Sequence, residues 1–577
     1  MAAAKEMVTG GPIDVLTGDW LAELTMLILA RTQAKRPGGG YARSFVTQME
    51  QVMGTCLDRG IKVVSNAGGL DPRGCAEAVG EIASRLGLAP QIAYVDGDDL
   101  MARLNEFGSE ELQLRNFVTD EPLTNTSQFI TANAYLGCFG IVDALNQGAD
   151  IVVTGRVTDA AVVCGPAAWH HHWERDNFDA LAGGVVAGHV IECGAQVTGG
   201  NYSFFTEVPG MVHVGFPWAE VAEDGSCVVG KHDNTGGEVS IGTVTSQLLY
   251  EIGGPQYYGP DVTARFDTIR LTQLAPNRVE IAGVRGEAPP RTLKVATNKV
   301  GGYRKDLGVA LVGLDVDAKA ALVEAAFWDA CPIAREDFES VTTRIVRTDK
   351  VDPATNEEAQ AVWRITLKDS DETKISRAVA NAVTEIALAT IPGFYGVSGS
   401  PGAGGAYGVY EPATIPAELV PQYVHMLGGS TTLRDSVAPT GASLVIPVPN
   451  TPVMKIEPTR RGAFGLIVGT RSGDKGGNAN LGVFARSQPA FVWLDEFLSV
   501  AMLRELLPET GPLRVDRYQL ANLWSLNFVI HELLEQGVAA SSRQDAQAKS
   551  LGEWLRSRIV DIPESLFDVG VNRSVSS

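Results

Sequence analysis

What the chain lacks narrows its chemistry first. No G-x-S-x-G elbow, complete Walker A or H-E-x-x-H pair occurs, and no G-x-G-x-x-G follows the strand-like segments. Nothing therefore calls for a nucleophile-elbow hydrolase, a P-loop nucleotide site, a zincin or a Rossmann dinucleotide site. The seven cysteines, at 56, 75, 138, 164, 193, 227 and 331, form no C-x-x-C pair. An odd, scattered set suits reduced thiols in a cytoplasmic protein rather than a disulfide framework. Apolar runs such as Met26 to Ala30 fall well short of the ~20 residues that a membrane-spanning helix needs. The opening MAAAKEMVTGGP lacks the apolar core of a signal peptide. Positive charge is the minority: 47 Lys and Arg stand against 68 Asp and Glu, a net −21. That balance argues against nucleic acid or an anionic membrane as partner. A small-molecule substrate, in a homo-oligomeric protein, is the expected alternative.

What is present is ordinary globular material, 45% apolar and 20% charged, in a chain of 577 residues. That length exceeds what one core serves, so more than one domain is expected. The first two hundred residues repeat a short β-branched run, a Gly/polar loop and a longer helical pattern. The runs are Ile13 to Leu16, Ile61 to Ser65, Gln91 to Val95 and Asp150 to Val153. Asp71-Pro72 after the second run is an N-cap followed by proline at the first helical position. Strands alternating with helices predict βαβ units around a parallel sheet. Right-handed crossovers then bring the loops after the strands to one sheet edge. Asp19, Asn66, Asp98, Arg156 and Asp159 are thereby expected at a common cleft, each with the alternative of serving as a cap or turn former.

From about residue 200 to 450 the pattern is irregular and glycine-rich, with strand-like RVEIAGV and TLKVAT. VSGSPGAGGAYGVYEP (397–412) and VIPVPNTP (445–452) read as loop and linker. A boundary is expected near 450–460. Beyond it, GAFGLIVGT, a glycine loop, NANLGVFAR, a helix, LRVDRYQL and a last amphipathic helix through LWSLNFVIHELLEQG suggest a small α+β sandwich of order β-β-α-β-α.

Several of these stretches are also familiar. GTRSGDKGGNANLGVFAR and LANLWSLNFVIHELLEQGVAASSRQDAQAKSLGEWL resemble the C-terminal region of the acyclic terpene utilisation (AtuA) family. VVSNAGGLDPRGCAEAV, TANAYLGCFGIVDALNQGADIVVTGRVTDAAV and AGHVIECGAQVTGG resemble its larger N-terminal region. The resemblance implies an α/β AtuA domain over 1–455, divisible into 1–200 and 201–455, and a ferredoxin-fold domain over 460–565. It implies a role in breaking down acyclic terpenoids through branched acyl-CoA thioesters. It further implies a strand and Gly-containing loop ahead of GGPIDVLTGDW, where only MAAAKEMV stands.

Four residues are candidates for the chemistry. His189 and Glu192, in AGHVIECGAQ, fall with Cys193 on one face of a helix end. They suit an acid/base pair, two metal ligands, or a histidine satisfying helix-end carbonyls. Arg156 and Asp159 suit an anion site beside a proton-transfer group, or a simple intraloop ion pair. Asn66, Asn133 and Tyr135 are candidate polar contacts to substrate, with a helix start as the alternative for Asn133 and Tyr135. In GTRSGDKGGNANLG, consecutive glycines can aim N–H groups inward as an anion nest. Arg471 and Lys475 would add cationic donors there, and Ser472, Asn478 and Asn480 neutral ones. Alternatively Asp474 pairs with Arg471 or Lys475 and the asparagines fix a hairpin against a neighbouring domain. Lys294 and NKVGGYRK (298–305) supply positive charge suited to CoA phosphates or to a solvated face, and HHH at 170–172 reads as a surface turn. No motif requires a redox cofactor, a CoA moiety would come with the substrate, and a divalent metal stays open. Together these point to proton-transfer chemistry of the hydratase, lyase or isomerase kind on an acyl-CoA or related acid. A scaffold for an acyl-CoA carboxylase or hydratase complex, or a hydrolase working through Cys193, are the alternatives.

Overall fold

In the computed structural model, residues 2–36, 38–124, 126–397, 402–447 and 457–569 are described. The central sheet of the first compact unit uses β1 (Val15–Gly18), β2 (Lys62–Ser65), β3 (Ile92–Asp96), β4 (Ile151–Thr154), β5 (Gln422–Met426) and β6 (Thr431–Arg434) in the order β1-β2-β4-β3-β5-β6. The first four are parallel, and β5 and β6 close the sheet antiparallel. β4 is the β-branched IVVT, buried at every position, as a parallel strand covered on both faces requires. The helix Pro72–Leu86 starts as its sequence dictates: Asp71 accepts from the Gly74 N–H at 2.8 Å, Pro72 occupies the first turn, and Gly87 ends it at φ +68°. The strands expected from the sequence fall within a residue or two of these bounds, and their C-terminal ends carry Asp19, Asn66, Asp98 and Arg156.

The irregular middle segment is more regular than its glycine content suggests. RVEIAGV contributes Arg278–Ala282, antiparallel to Cys227–Lys231, and TLKVAT opens the long strand Thr292–Val312. Residues 405–412, expected as loop, belong to the strand Gly405–Pro416, because its β-branched and aromatic residues outweigh its glycines. Residues 398–401 of that stretch, and 448–456 with the boundary expected there, lie outside the described residues.

The same first unit includes a four-stranded antiparallel sheet of β7 (Val468–Lys475), β8 (Asn478–Ala485), β9 (Val515–Leu520) and β10 (Ser525–Ile530), ordered β7-β8-β10-β9. It packs on Gln488–Phe497 and Leu551–Ser557 through Phe464, Leu481, Leu494, Phe528 and Leu555. SLNFVI, expected as helix, is β10. Every position in it is buried, and a continuous apolar run has no period that separates helix from strand. The glycine loop is a tight hairpin in which Lys475 and Asn478 pair across Gly476-Gly477. Gly476 sits at φ +63°, the conformation a two-residue turn demands at its first central position.

The second unit comprises residues 299–409 and 539–544. Its antiparallel sheet pairs Ser340–Arg347 with Gln360–Asp369, and the latter with Tyr303 to Val312. Helices Val316–Ala330 and Arg377–Glu385 cover it around Phe327 and Trp363.

Candidate functional site

The loops after β1, β2, β3 and β4 meet. Asn66 Nδ2 donates to Asp19 Oδ1 at 2.5 Å, and Asn66 Oδ1 accepts from the Trp20 N–H at 2.7 Å. Asp98 Oδ2 accepts from the Arg156 N–H at 2.9 Å and from Asn133 Nδ2 at 2.8 Å. This approach explains Gly155: a Cβ there would lie 2.2 Å from Asp98 Oδ1. Arg156, 2% exposed, reaches Asp159 Oδ1 at 2.7 Å and lies 4.2 Å over the Tyr135 ring. Asn133 lies within a strand, Phe129–Ala134, so it is not a helix-start residue.

Burial and charge divide these groups by protonation. Burial and the neighbouring Asp159 carboxylate push Asp19 up to about 7, against the opposing pull of Arg156 and Asn66. Burial raises Asp98 to about 7 despite its two hydrogen bonds. Glu23 goes the other way: burial alone would raise it, but Lys294 and Arg156 hold it down at about 2. Lys294 Nζ is 3.3 Å from Glu23 Oε1 and 4.7 Å over the Tyr135 ring. The carboxylate at 23 therefore fixes Lys294 as a permanent cation.

His189 and Glu192 come together at the end of Phe178–Ile191, with His189 Nδ1 3.5 Å from Glu192 Oε1. They are not an ionic pair. Burial between Tyr257 and Phe266 lowers His189 to about 4. Burial together with Asp159, Asp19 and Glu251 raises Glu192 well above the usual carboxyl range. Both ring nitrogens of His189 and Oε2 of Glu192 are buried without a hydrogen-bond partner, so the pair is a neutral imidazole beside a carboxylic acid. Burial and the Glu192 carboxyl likewise raise the Cys193 thiol, opposing a thiolate nucleophile. A cavity of about 1420 Å³ is lined by Asp19, Glu192, Cys193 and Gln196 together with Trp20, Trp169 and Trp218. Among the described residues, no group of three or more His, Cys, Asp or Glu side chains is arranged to hold a metal.

The β7–β8 hairpin delivers its cations to the same region. Arg471 is buried, lies 4.2 Å over the Tyr250 ring and donates through Nη2 to Gln196 Oε1. Asp474 pairs with neither cation of its loop but with Lys549, at 3.6 Å. Lys475 reaches solvent, and its Nζ donates to the Glu251 carbonyl at 2.9 Å. The neutral candidates are engaged within the protein. Ser472 Oγ donates to the Ala548 carbonyl and accepts from the Gly552 N–H; Asn478 Oδ1 accepts from the Glu532 N–H; Asn480 Oδ1 accepts from the Glu251 N–H. Elsewhere, His171 Nε2 lies 2.9 Å from the Val221 carbonyl and its ring stacks on Trp173. Glu23, Glu251, Tyr257, Tyr410 and Lys549 escaped the sequence reading. Only Glu23 carried a local signal, as an acidic residue opening the helix Glu23–Gln33 just after Asp19.

A parallel sheet with an ionisable cluster at its carboxyl edge, joined to a ferredoxin-like sheet, defines a two-domain α/β class. Residues 1–426 match the family model of the acyclic terpene utilisation family protein AtuA, and residues 465–561 match the AtuA ferredoxin-like domain. The chain belongs to the AtuA family. No curated protein and no solved structure matches it. No helix among the described residues is long and apolar enough to cross a membrane.

Proposed function

We propose that the protein is an enzyme of acyclic-terpenoid or branched-acid catabolism that acts on an acyl-CoA or related acid by proton transfer, as a hydratase/lyase or isomerase. Membership of a terpene-utilisation family supports the pathway. The chemistry rests on one observation: the fixed Arg156–Asp159 pair interacts with two carboxyls, Asp19 and Glu192, that burial and mutual repulsion hold toward their protonated forms. A carboxyl titrating near neutrality can take and return a proton at working pH. Arg156 and Lys294, kept charged by their carboxylates, stabilise negative charge developing on a substrate oxygen. Glu192, protonated and with one oxygen unbonded, serves as the acid.

The test is turnover of geranyl-type and other branched acyl-CoA esters, with free acids in parallel, by wild type, Asp19→Asn, Asp159→Asn and Glu192→Gln. Loss of turnover by about 10²–10⁴-fold with substrate binding retained is expected for a general acid or base. Full turnover in all three variants would end the proposal.

A further inference from the structure

We propose that Lys475 is a nucleophilic amine, condensing with the carbonyl carbon of an aldehyde, ketone or 3-oxo acid to form a protonated imine. The proposal rests on the proton-transfer reading of the site, and it narrows the substrate to one carrying a free carbonyl.

Three lysines converge on this region and the structure treats them differently. Lys294 is paired with Glu23 at 3.3 Å. Lys549 is paired with Asp474 at 3.6 Å, lies 4.0 Å from Glu251, and hydrogen-bonds the Tyr250 hydroxyl. Lys475 forms no ion pair among the described residues. Its Nζ is held by one neutral acceptor, the Glu251 carbonyl, while its side chain is open to solvent. Its position is fixed from both sides. Gly476 abuts the Tyr410 ring, where a Cβ would come within 3.1 Å, and Lys294 lies 5.8 Å from the centre of that same ring. Gly477 accepts from the Leu534 N–H and leaves 2.4 Å between a would-be Cβ and the Glu535 carbonyl. The seated tip fixes the backbone from which the amine projects, and the Glu251 carbonyl orients its Nζ.

The protein enclosing that amine, more than the charges around it, favours its neutral form, although the side chain reaches water. Burial and the Lys294 cation lower Lys475 to about 8, against the smaller opposing pull of Glu251, Glu23 and Asp159. An amine beside a second, permanently charged cation is the arrangement that activates lysine toward carbonyls. The steps balance without any outside reagent. The Nζ lone pair attacks the carbonyl carbon, the C=O π electrons move to oxygen, and a proton passes from nitrogen to that oxygen to give a carbinolamine. The Glu251 carboxyl, raised to about 7 by burial, donates a proton to the hydroxyl. Water leaves, and the C=N⁺ bond forms. The iminium then acidifies the adjacent carbon: a carboxylate such as Asp19 removes its proton to leave an enamine, the acid so formed returns a proton to carbon, and water adding to the regenerated iminium releases product and free lysine.

Borohydride trapping on the full-length protein tests this. Wild type and Lys475→Arg are incubated with acetoacetate or 3-methylbutanal, reduced with sodium borohydride, and analysed by intact mass and peptide mapping. The expected result is one reduced adduct, on Lys475, absent from Lys475→Arg at unchanged melting temperature. The larger free-amine fraction should favour Lys475 over an ordinary surface lysine by about a hundredfold at pH 7. Labelling of Lys475 no faster than that of surface lysines would overturn the proposal, as would full turnover of a carbonyl substrate by Lys475→Arg. The two proposals fail separately. Absent adduct with turnover lost in Asp159→Asn removes the imine alone, whereas a specific adduct with full turnover in the Asp19, Asp159 and Glu192 variants removes the proton-transfer reading alone.

Discussion

Arg156 Nη1 lies 2.7 Å from Asp159 Oδ1, three residues ahead in the same loop, and the arginine is buried while the aspartate is a quarter exposed. The pair is asymmetric: removing the arginine strands a carboxylate that already repels Asp19 and Glu192. Arg156→Ala should therefore destabilise the fold by about 3 kcal/mol, the low end for breaking a buried pair because Asp159 keeps some water. Arg156→Lys keeps the charge but loses the fork, and should cost about 1–2 kcal/mol. Urea midpoints of the two variants give the comparison.

Asp19 sets a second expectation, through pH. Its folded value near 7 lies above the ordinary 3.8. Below about pH 4 the carboxyl is protonated in both states and carries no penalty. Between 4 and 7 the unfolded chain ionises first, so stability falls as pH rises; above 7 the penalty is complete and constant. Asp19→Asn keeps an oxygen for Asn66 and removes the penalty. Its stability gain over wild type should grow from nothing near pH 4 to about 1–2 kcal/mol at pH 8. In turnover, the limb of kcat/KM near pH 7 should disappear in the same variant.

Gly155 makes a backbone claim that can be checked directly. Gly155→Ala should push Asp98 off the Arg156 N–H and cost about 2 kcal/mol or more, by overpacking and a lost charge-assisted bond. In Gly155→Ala/Asp98→Ala the clash is gone. The two costs should then be clearly non-additive in a double-mutant cycle, and additive costs would mean that Gly155 serves another purpose.

Ser472 tests the seating of the hairpin. Its hydroxyl serves both the Ala548 carbonyl and the Gly552 N–H, so Ser472→Ala should cost about 1–3 kcal/mol. With the tip loosened, proteolysis within β7–β8 should accelerate, while resistance unchanged from wild type would place the anchor elsewhere.

The parallel sheet and its loops were legible because they obey local and topological rules. β-branched runs mark strands, and crossover handedness sends Asp19, Asn66, Asp98 and Arg156 to one edge whatever their separation in sequence. The bond from Asn66 to Asp19 is what that rule anticipates. β10 was not legible, since burial on both faces erases the period that distinguishes strand from helix. Nor was the partnership of Asp474 with Lys549 or of Lys294 with Glu23. Each joins elements whose adjacency depends on tertiary packing alone. The ionic look of His189 and Glu192 in sequence was equally uninformative about charge, which burial against Tyr257 and Phe266 decides.

The hairpin tip at Lys475 and the helix-side Lys549 are both made late in synthesis, whereas Asp19, Glu23, Asp159, Glu192 and Glu251 emerge early. A chain translated only as far as residue 460 therefore carries these acidic residues without the two lysines. Any product cut short there would hold the carboxylates of this site against one another with Arg156 and Lys294 as the cations left among them. The small C-terminal sheet thus completes the charge set of this region only after its acidic part has been made.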